Sequence, residues 1–481
     1  MKTMIRKAVA VLVCIAVFTC NLLVYGFTPQ IDINNGEKMY NFYETFIRVT
    51  ERNYRFGVTK EQLLEAAIRE LLKEHPELFD ELAKGAYSIL DENSRYLSVE
   101  EYEPAAEKIS GEFEGIGINV IDLDGMTMVG SAIKGTPAYL AGIMTGDIIV
   151  SVDDTDVRGF VLDQTIALIR GERGTYVKLG IERGGKLLFF DVMRDVIKIN
   201  PIDYHVLEQQ KNAAYVRIST FNANTASYLE EALRDLAGKG VEKIILDLRY
   251  NLGGLLTEAV KAASYFLPDN TLVVTEDFKD PERNQSYYSM PTDIKFKAVV
   301  LVNEYSASAS EIVAAAIKEN NAGVLVGVRT FGKGTVQQNI HMKNGGAMWL
   351  TIAKYLTPGG SYIHDVGIEP DYPINNKKHL IDTTQFEPIK AERVLTSGDK
   401  GKDVLAIEQR LEAMGYPIEN ADEAYDNYTA VAVTAFQSNN GLYPYGVADI
   451  TTQIKIMDVA AETEVTEDRQ LEKAISLIEQ I

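Results

Sequence analysis

Residues 298–302 are an unbroken apolar run, Ala-Val-Val-Leu-Val, and residues 323–328 form a second one, with an alanine-rich stretch at 310–318 between them. Short polar-free runs suit buried strands and the stretch between them suits a helix, which constrains this part of the chain to α/β layers. The alternation extends upstream, with strand-like residues 214–218 and 243–248 and helix-like residues 225–237 and 255–266. Small hydroxyl residues, Ser306, Ser308 and Ser310, stand where the first run gives way to the helix. A serine there holds its hydroxyl at the end of a sheet, where the first free N–H groups of the helix can stabilise an oxyanion. Downstream, Lys333 sits between Gly332 and Gly334, and Gln337 follows. A hydroxyl and a loop lysine without a nearby histidine suggest a serine–lysine dyad.

At 481 residues the chain is too long for one ordinary core, and about three or four units are expected. A formal net charge of -21 argues against a nucleic-acid partner, because phosphate binding needs clustered Lys and Arg. Lys2, Arg6 and Lys7 precede an apolar run at 8–25, so residues 1–26 read as a signal peptide or, uncut, as a membrane anchor. A lipoprotein reading at Cys20 is disfavoured by Thr19 in front of it. Both cysteines, Cys14 and Cys20, lie in this segment, which leaves the remainder without a disulfide or a thiol nucleophile.

Residues 36–110 have helical spacing, as in Leu63, Leu64, Ala67, Leu71 and Leu72, and carry nothing catalytic. Residues 111–196 change to short β-type runs with one helical stretch at 162–170. There Gly115, Ile116, Gly117 and Ile118 form a glycine loop feeding a strand, which can offer N–H groups to a carboxylate beside an open sheet edge. With Gly135-Thr136-Pro137-Ala138, Ala141-Gly142, Gly146-Asp147-Ile148-Ile149 and Arg170-Gly171 in order, the segment resembles a PDZ domain. That resemblance implies binding of polypeptide C-termini, with residues 115–118 as the carboxylate loop.

Residues 200–374 carry the α/β pattern, and within them Gly253-Gly254 follows a strand and opens a helix. Such a turn suits an anion, either a phosphate or an oxyanion, or is simply a structural turn; no lysine follows it as a P-loop would require. Residues 375–390 read as a linker, 391–458 as a compact set of short helices, and 459–481 as an acidic helical tail with no assigned role. Within the helical set, Leu411-x-x-Met414-Gly415-Tyr416, Thr429-Ala430-Val431-Ala432-Val433 and Phe436-Gln437 resemble a peptidoglycan-binding domain, which implies attachment to the cell wall.

Ser306-Ala307-Ser308-Ala309-Ser310-Glu311-Ile312 and Phe331-Gly332-Lys333-Gly334-Thr335-Val336-Gln337 resemble the core motifs of the carboxy-terminal processing peptidases, the tail-specific proteases. The order of helical region, PDZ module and α/β core is also theirs. The resemblance implies Ser308 as nucleophile, Lys333 as general base and Gln337 as the residue that orients the lysine. It implies oxyanion donors at the N–H groups of Ala309 and of Gly253 or Gly254. Homodimers through the terminal helices are common in such relatives. Two departures stand out: Leu252 replaces a proline before the double glycine, and Glu92-Asn93 replaces Pro-His after Leu90-Asp91, outside the chemistry.

The chemistry is consistent with this mapping. A free lysine has a pKa of about 10.4, and lowering it to around 7–8 costs on the order of 3–5 kcal/mol, which a mostly buried position can impose. Residues 324–328, Phe331 and Val336 supply apolar surroundings in sequence, and no acid falls between Lys333 and Gln337. Gln337 can accept a hydrogen bond from the amine without adding a charge that would raise its pKa. The five histidines, His75, His205, His341, His364 and His379, show no metal-ligand spacing, and neither His341 nor His364 sits where a catalytic base would be demanded. No metal and no cofactor is expected.

The expected fold is multidomain α+β: a helical N-terminal region, a PDZ sandwich- or barrel-like module, an α/β protease core and a small all-α C-terminal peptidoglycan-binding domain. The expected function is that of an exported serine endopeptidase, associated with the cell envelope, that engages polypeptide C-termini. A wall-anchored adaptor with an idle core and a peptidoglycan hydrolase are the rival readings.

Overall fold

The computed structural model describes residues 36–123, 125–418 and 420–481. The segment read as a signal peptide or anchor lies outside them, and no helix among the described residues is long and apolar enough to cross a membrane. Two compact units divide at Ile89 and Leu90.

The first unit holds the helices Gly36–Asn53, Lys60–Glu74 and Phe79–Tyr87. Thr59 caps the second helix reciprocally with Gln62, as its Thr-x-x-Gln spacing predicts. Ile47 is the one fully buried side chain among the described residues of this unit, so its helices form a layer rather than a core.

In the second unit a six-stranded sheet runs in the order Ile202–Leu207, Gln210–Ile218, Lys243–Asp247, Lys297–Val302, Gly323–Gly327, Tyr372–Pro373. The first pair is antiparallel and the others are parallel. Side chains alternate between its faces. Ala298, Val300 and Val302 face the core shared with the helices Thr225–Gly238, Leu256–Ser264 and Ala309–Glu319. Val299 and Leu301 meet Ala474, Leu477 and Ile478 of the helix Arg469–Ile478 on the opposite face. Burial on both faces explains why the strand is apolar throughout.

The acidic tail is therefore part of the core layer. It also contributes a strand, Glu464–Glu467, paired antiparallel with Lys377–Leu380 from the stretch read as a linker. Between these two strands the chain loops out into the helices Lys402–Ala413, Asn427–Asn439 and Ile450–Glu462, which close on a separate core of Leu395, Ile407, Leu411, Tyr425 and Phe436.

A second, five-stranded sheet joins Arg95–Leu97, Ala347–Leu356, Leu272–Phe278 and Gln285–Tyr288, with Thr335–His341 on the other side of Ala347–Leu356. Helical spacing was expected to run through residue 95. Burial of Tyr96 and Leu97 against the Ala347–Leu356 strand makes that stretch extended instead. The module at 111–196 is a sheet of Ile118–Leu123, Met126–Ala132, Ile148–Val152, Tyr176–Arg183 and Lys186–Met193, with Thr155–Asp156 at the side and the helices Pro137–Ala141 and Leu162–Ile169 against it. Its two ends pair with each other, Glu112–Gly115 with Asp195–Lys198.

Candidate active site

Ser308 is the turning point between the strand Lys297–Val302 and the helix Ala309–Glu319, with φ +56° and ψ -114°. A non-glycine residue in that region carries strain of about 1–3 kcal/mol, kept only where the surroundings impose it. The same sharp strand-to-helix turn presents a serine hydroxyl at the end of a sheet. The flanking serines are fully buried, and their hydroxyls are committed: Ser306 Oγ donates to Leu248 O at 2.8 Å and Ser310 Oγ to Asn251 O at 2.9 Å. They fasten the turn to the loop after Lys243–Asp247 and leave Ser308 as the serine at its apex.

Glu311, with no exposed surface, ties this turn to the lysine loop. Its Oε2 accepts the N–H groups of Ser308 and Lys333, each at 2.8 Å. Its Oε1 accepts Thr330 Oγ1 at 2.5 Å and the Gly332 N–H at 2.7 Å. Burial raises the carboxyl above its ordinary value, against the pull of these four donors. Gly334 is required by a close approach, since a Cβ there would lie 2.2 Å from the backbone nitrogen of His364.

Lys333 is half-buried, and its Nζ makes no hydrogen bond or ion pair with a described residue. Burial pushes the ammonium below the usual lysine value, the Arg95 guanidinium pushes it further, and the Glu92 carboxylate opposes both. Glu92, expected to stand outside the chemistry, is thus close enough for its charge to act on Lys333. Phe331, grouped with the apolar surroundings of the lysine, is instead 59% exposed.

Ser308 and Lys333 are brought together through the Glu311 carboxylate, and no hydrogen bond joins the hydroxyl to the amine. Gln337 is not bonded to Lys333 either. Its Nε2 donates to Thr335 Oγ1 at 2.9 Å and to Thr351 Oγ1 at 3.1 Å.

The glycine turn lies against the serine. A Cβ at Gly253 (φ +99°) would come within 2.8 Å of the Ser308 Cβ, so only glycine fits there. The Gly253 N–H donates to Asn251 Oδ1 at 2.9 Å, while the N–H groups of Gly254 and Ala309 have no acceptor among the described residues. Upstream, the buried Arg249 holds Asp247 and reaches Asp468 at 2.6 Å, which joins this loop to the start of the helix Arg469–Ile478.

Comparison with known proteins identifies the family and its modules. Peptidase family S41 matches residues 212–374, a PDZ domain residues 128–183 and a peptidoglycan-binding domain residues 400–456. A CtpA-like serine protease of Staphylococcus epidermidis is 34% identical over 430 residues, covering 89% of this chain and 82% of that protein. The chain belongs to peptidase family S41. The S41 peptidase is also 34% identical over 403 residues to the carboxy-terminal processing protease CtpA of Bacillus subtilis, across 83% of this chain and 85% of that one. Among solved structures it resembles the photosystem II D1 C-terminal processing protease, with 28% identity, 69% of this chain and 92% of that chain covered, and a TM-score of 0.39. It is a serine peptidase that carries a PDZ domain and a peptidoglycan-binding domain.

In the module at 111–196 of the S41 peptidase, residues 115–118 line a groove of about 490 Å³ together with Ile166 and Ile169 of the helix Leu162–Ile169. The N–H groups of Ile116 and Gly117 have no acceptor among the described residues. Sequence reasoning assigned no role to Glu311, Asn251 or Arg249. The Ser308-x-x-Glu311 spacing at a helix start was a usable signal for the first. The other two act through a loop whose path only the fold reveals.

Proposed function

We propose that this S41 peptidase is an exported endopeptidase of the cell envelope that takes polypeptide chain ends into its PDZ groove and cleaves through an acyl-enzyme on Ser308. Neutral Lys333 would accept the Ser308 proton as Oγ attacks the scissile carbonyl, then give it to the leaving amine. Water, deprotonated by Lys333, would release the acyl group. The oxyanion would be held by the N–H groups of Ala309 and Gly254, because that of Gly253 is occupied by Asn251. Gln337 would receive a hydrogen bond from the lysine through Oε1. Residues 1–26 would direct export, and the peptidoglycan-binding domain would keep the enzyme at the wall.

One observation carries the reading. A single carboxylate oxygen of Glu311 accepts the backbone N–H groups of both a strained serine and a half-buried lysine without an ion partner. No hydrogen bond joins amine and hydroxyl among the described residues, and catalytic contacts of this kind commonly tighten when substrate is bound.

The test is cleavage of an unstructured protein substrate by Ser308→Ala and Lys333→Ala variants of the chain without residues 1–26. Each is expected to lose at least about 10⁴-fold in rate. Near-wild-type cleavage by either would sink the dyad.

A further inference from the structure

The carboxamide of Gln337 has two ends with opposite chemistry, and the proposed mechanism works only if the oxygen faces the lysine. Two hydroxyls receive its Nε2, those of Thr335 and Thr351. A hydroxyl could equally donate to an amide oxygen, so these contacts alone do not choose an orientation. The choice comes from further away. Thr351 Oγ1 donates to Asp91 Oδ1 at 2.8 Å, and Asp91 Oδ2 receives Ser94 Oγ at 2.7 Å. Ser94 Oγ in turn accepts the N–H of Thr351 at 3.0 Å, so both backbone and side chain of Thr351 are held by the Asp91–Ser94 turn. Arg95↔Trp349 and Gln337↔Thr351 are register partners on opposite sides of the Ala347–Leu356 strand, so the turn is fixed in the same sheet as the glutamine.

An ionised carboxylate only accepts. Burial would raise the Asp91 carboxyl, but the Ser94 and Thr351 hydroxyls and the Asn93 N–H together hold it below its ordinary value. The Thr351 proton is therefore committed to Asp91, and what Thr351 offers Gln337 is a lone pair. Only the NH₂ end of the glutamine can meet it. With both amide protons used on the two threonines, Oε1 is the group left to receive a donor.

We infer that Asp91 and Thr351 are positioning residues that set the orientation of the Gln337 carboxamide, an inference that rests on the lysine-orienting role proposed for Gln337. They touch neither substrate nor reacting atoms, and they act through the glutamine.

The test is a double-mutant cycle on kcat and KM, with thermal unfolding measured in parallel. Thr351→Val leaves the Asp91 turn in place and is expected, like Gln337→Ala, to lower kcat about tenfold or more at nearly constant KM. Thr351→Ser keeps the hydroxyl and should restore most of what Thr351→Val loses. Asp91→Asn can donate through its amide, which frees the Thr351 proton to turn, and should fall between the two. The deciding measurement is Thr351→Val/Gln337→Ala: a rate equal to that of Gln337→Ala alone supports the relay, because nothing remains to orient. Multiplicative losses in the double variant, or a Thr351→Val enzyme with wild-type kcat, would overturn it. So would a Gln337→Ala enzyme with wild-type kcat. Activity persisting in Ser308→Ala or Lys333→Ala would overturn the dyad itself, a result separable from additivity in the cycle.

Discussion

Lys333 is a liability to the folded state and the source of the proposed reactivity for the same reason. Burial and the Arg95 charge hold its pKa below that of a free lysine. Below the folded-state pKa the burial of the ammonium opposes folding in full. That opposition fades as pH rises toward the unfolded value of about 10.4, because the unfolded chain then binds the extra proton. Lys333→Met is thus expected to abolish cleavage and to raise the unfolding temperature at pH 7, with the gain shrinking between pH 7 and 10. A lowered unfolding temperature at pH 7 would contradict the placement of the lysine. For the wild-type enzyme, cleavage should rise with pH through one ionisation below that of an ordinary lysine. A profile without that ionisation would remove Lys333 as the base.

At the scale of elements, the site is a junction of two sheets. The helix Ala309–Glu319 brings the serine from the six-stranded sheet, and the strand Thr335–His341 brings the glutamine from the five-stranded one. Glu311 spans the gap. Glu311→Gln would turn an acceptor of four donors into a group with two donors of its own, leaving buried N–H groups unmatched. We expect kcat to fall on the order of a hundredfold from misplaced reacting groups, with a lower unfolding temperature; unchanged kinetics would show that Glu311 does not register the loops.

This division also sets what was legible in the sequence. The parallel strands read clearly, because burial on both faces demands apolar runs such as residues 298–302, and the PDZ strands read nearly as well. The second sheet did not. Thr335–His341 is mostly polar and is buried only at Thr335 and Val336, so it shows no period-two pattern, and Arg95–Leu97 is extended only because Tyr96 and Leu97 have a partner strand far along the chain. Ser308 and Lys333 were visible through their glycine and hydroxyl context. Glu311 stood within the serine motif and Asp91 within a stretch of helical spacing, and neither carried a role of its own.

At the scale of the whole molecule, the peptidoglycan-binding domain is inserted into the peptidase rather than hung from it. Its flanking strands are paired, and the Ile381 N–H donates to Thr463 O at 3.0 Å. Replacing residues 382–462 by a short Gly/Ser bridge is therefore expected to give a soluble peptidase with near-wild-type activity that no longer sediments with purified wall. Cutting the chain at residue 390 removes Ala474, Leu477 and Ile478 from the sheet and Asp468 from Arg249, and should give an inactive, aggregating product. If the shortened chain were as active as the bridged one, the helix Arg469–Ile478 would not belong to the core.

The same connectivity acts in time. A chain is made from its N-terminus, so the strands around Ser308 and the lysine loop exist well before the helix that seals their sheet. That helix follows the peptidoglycan-binding domain, which must emerge first. A nascent chain therefore holds the proposed catalytic residues while it still lacks a finished core, and completion of the hydrolase waits until the inserted domain has been made.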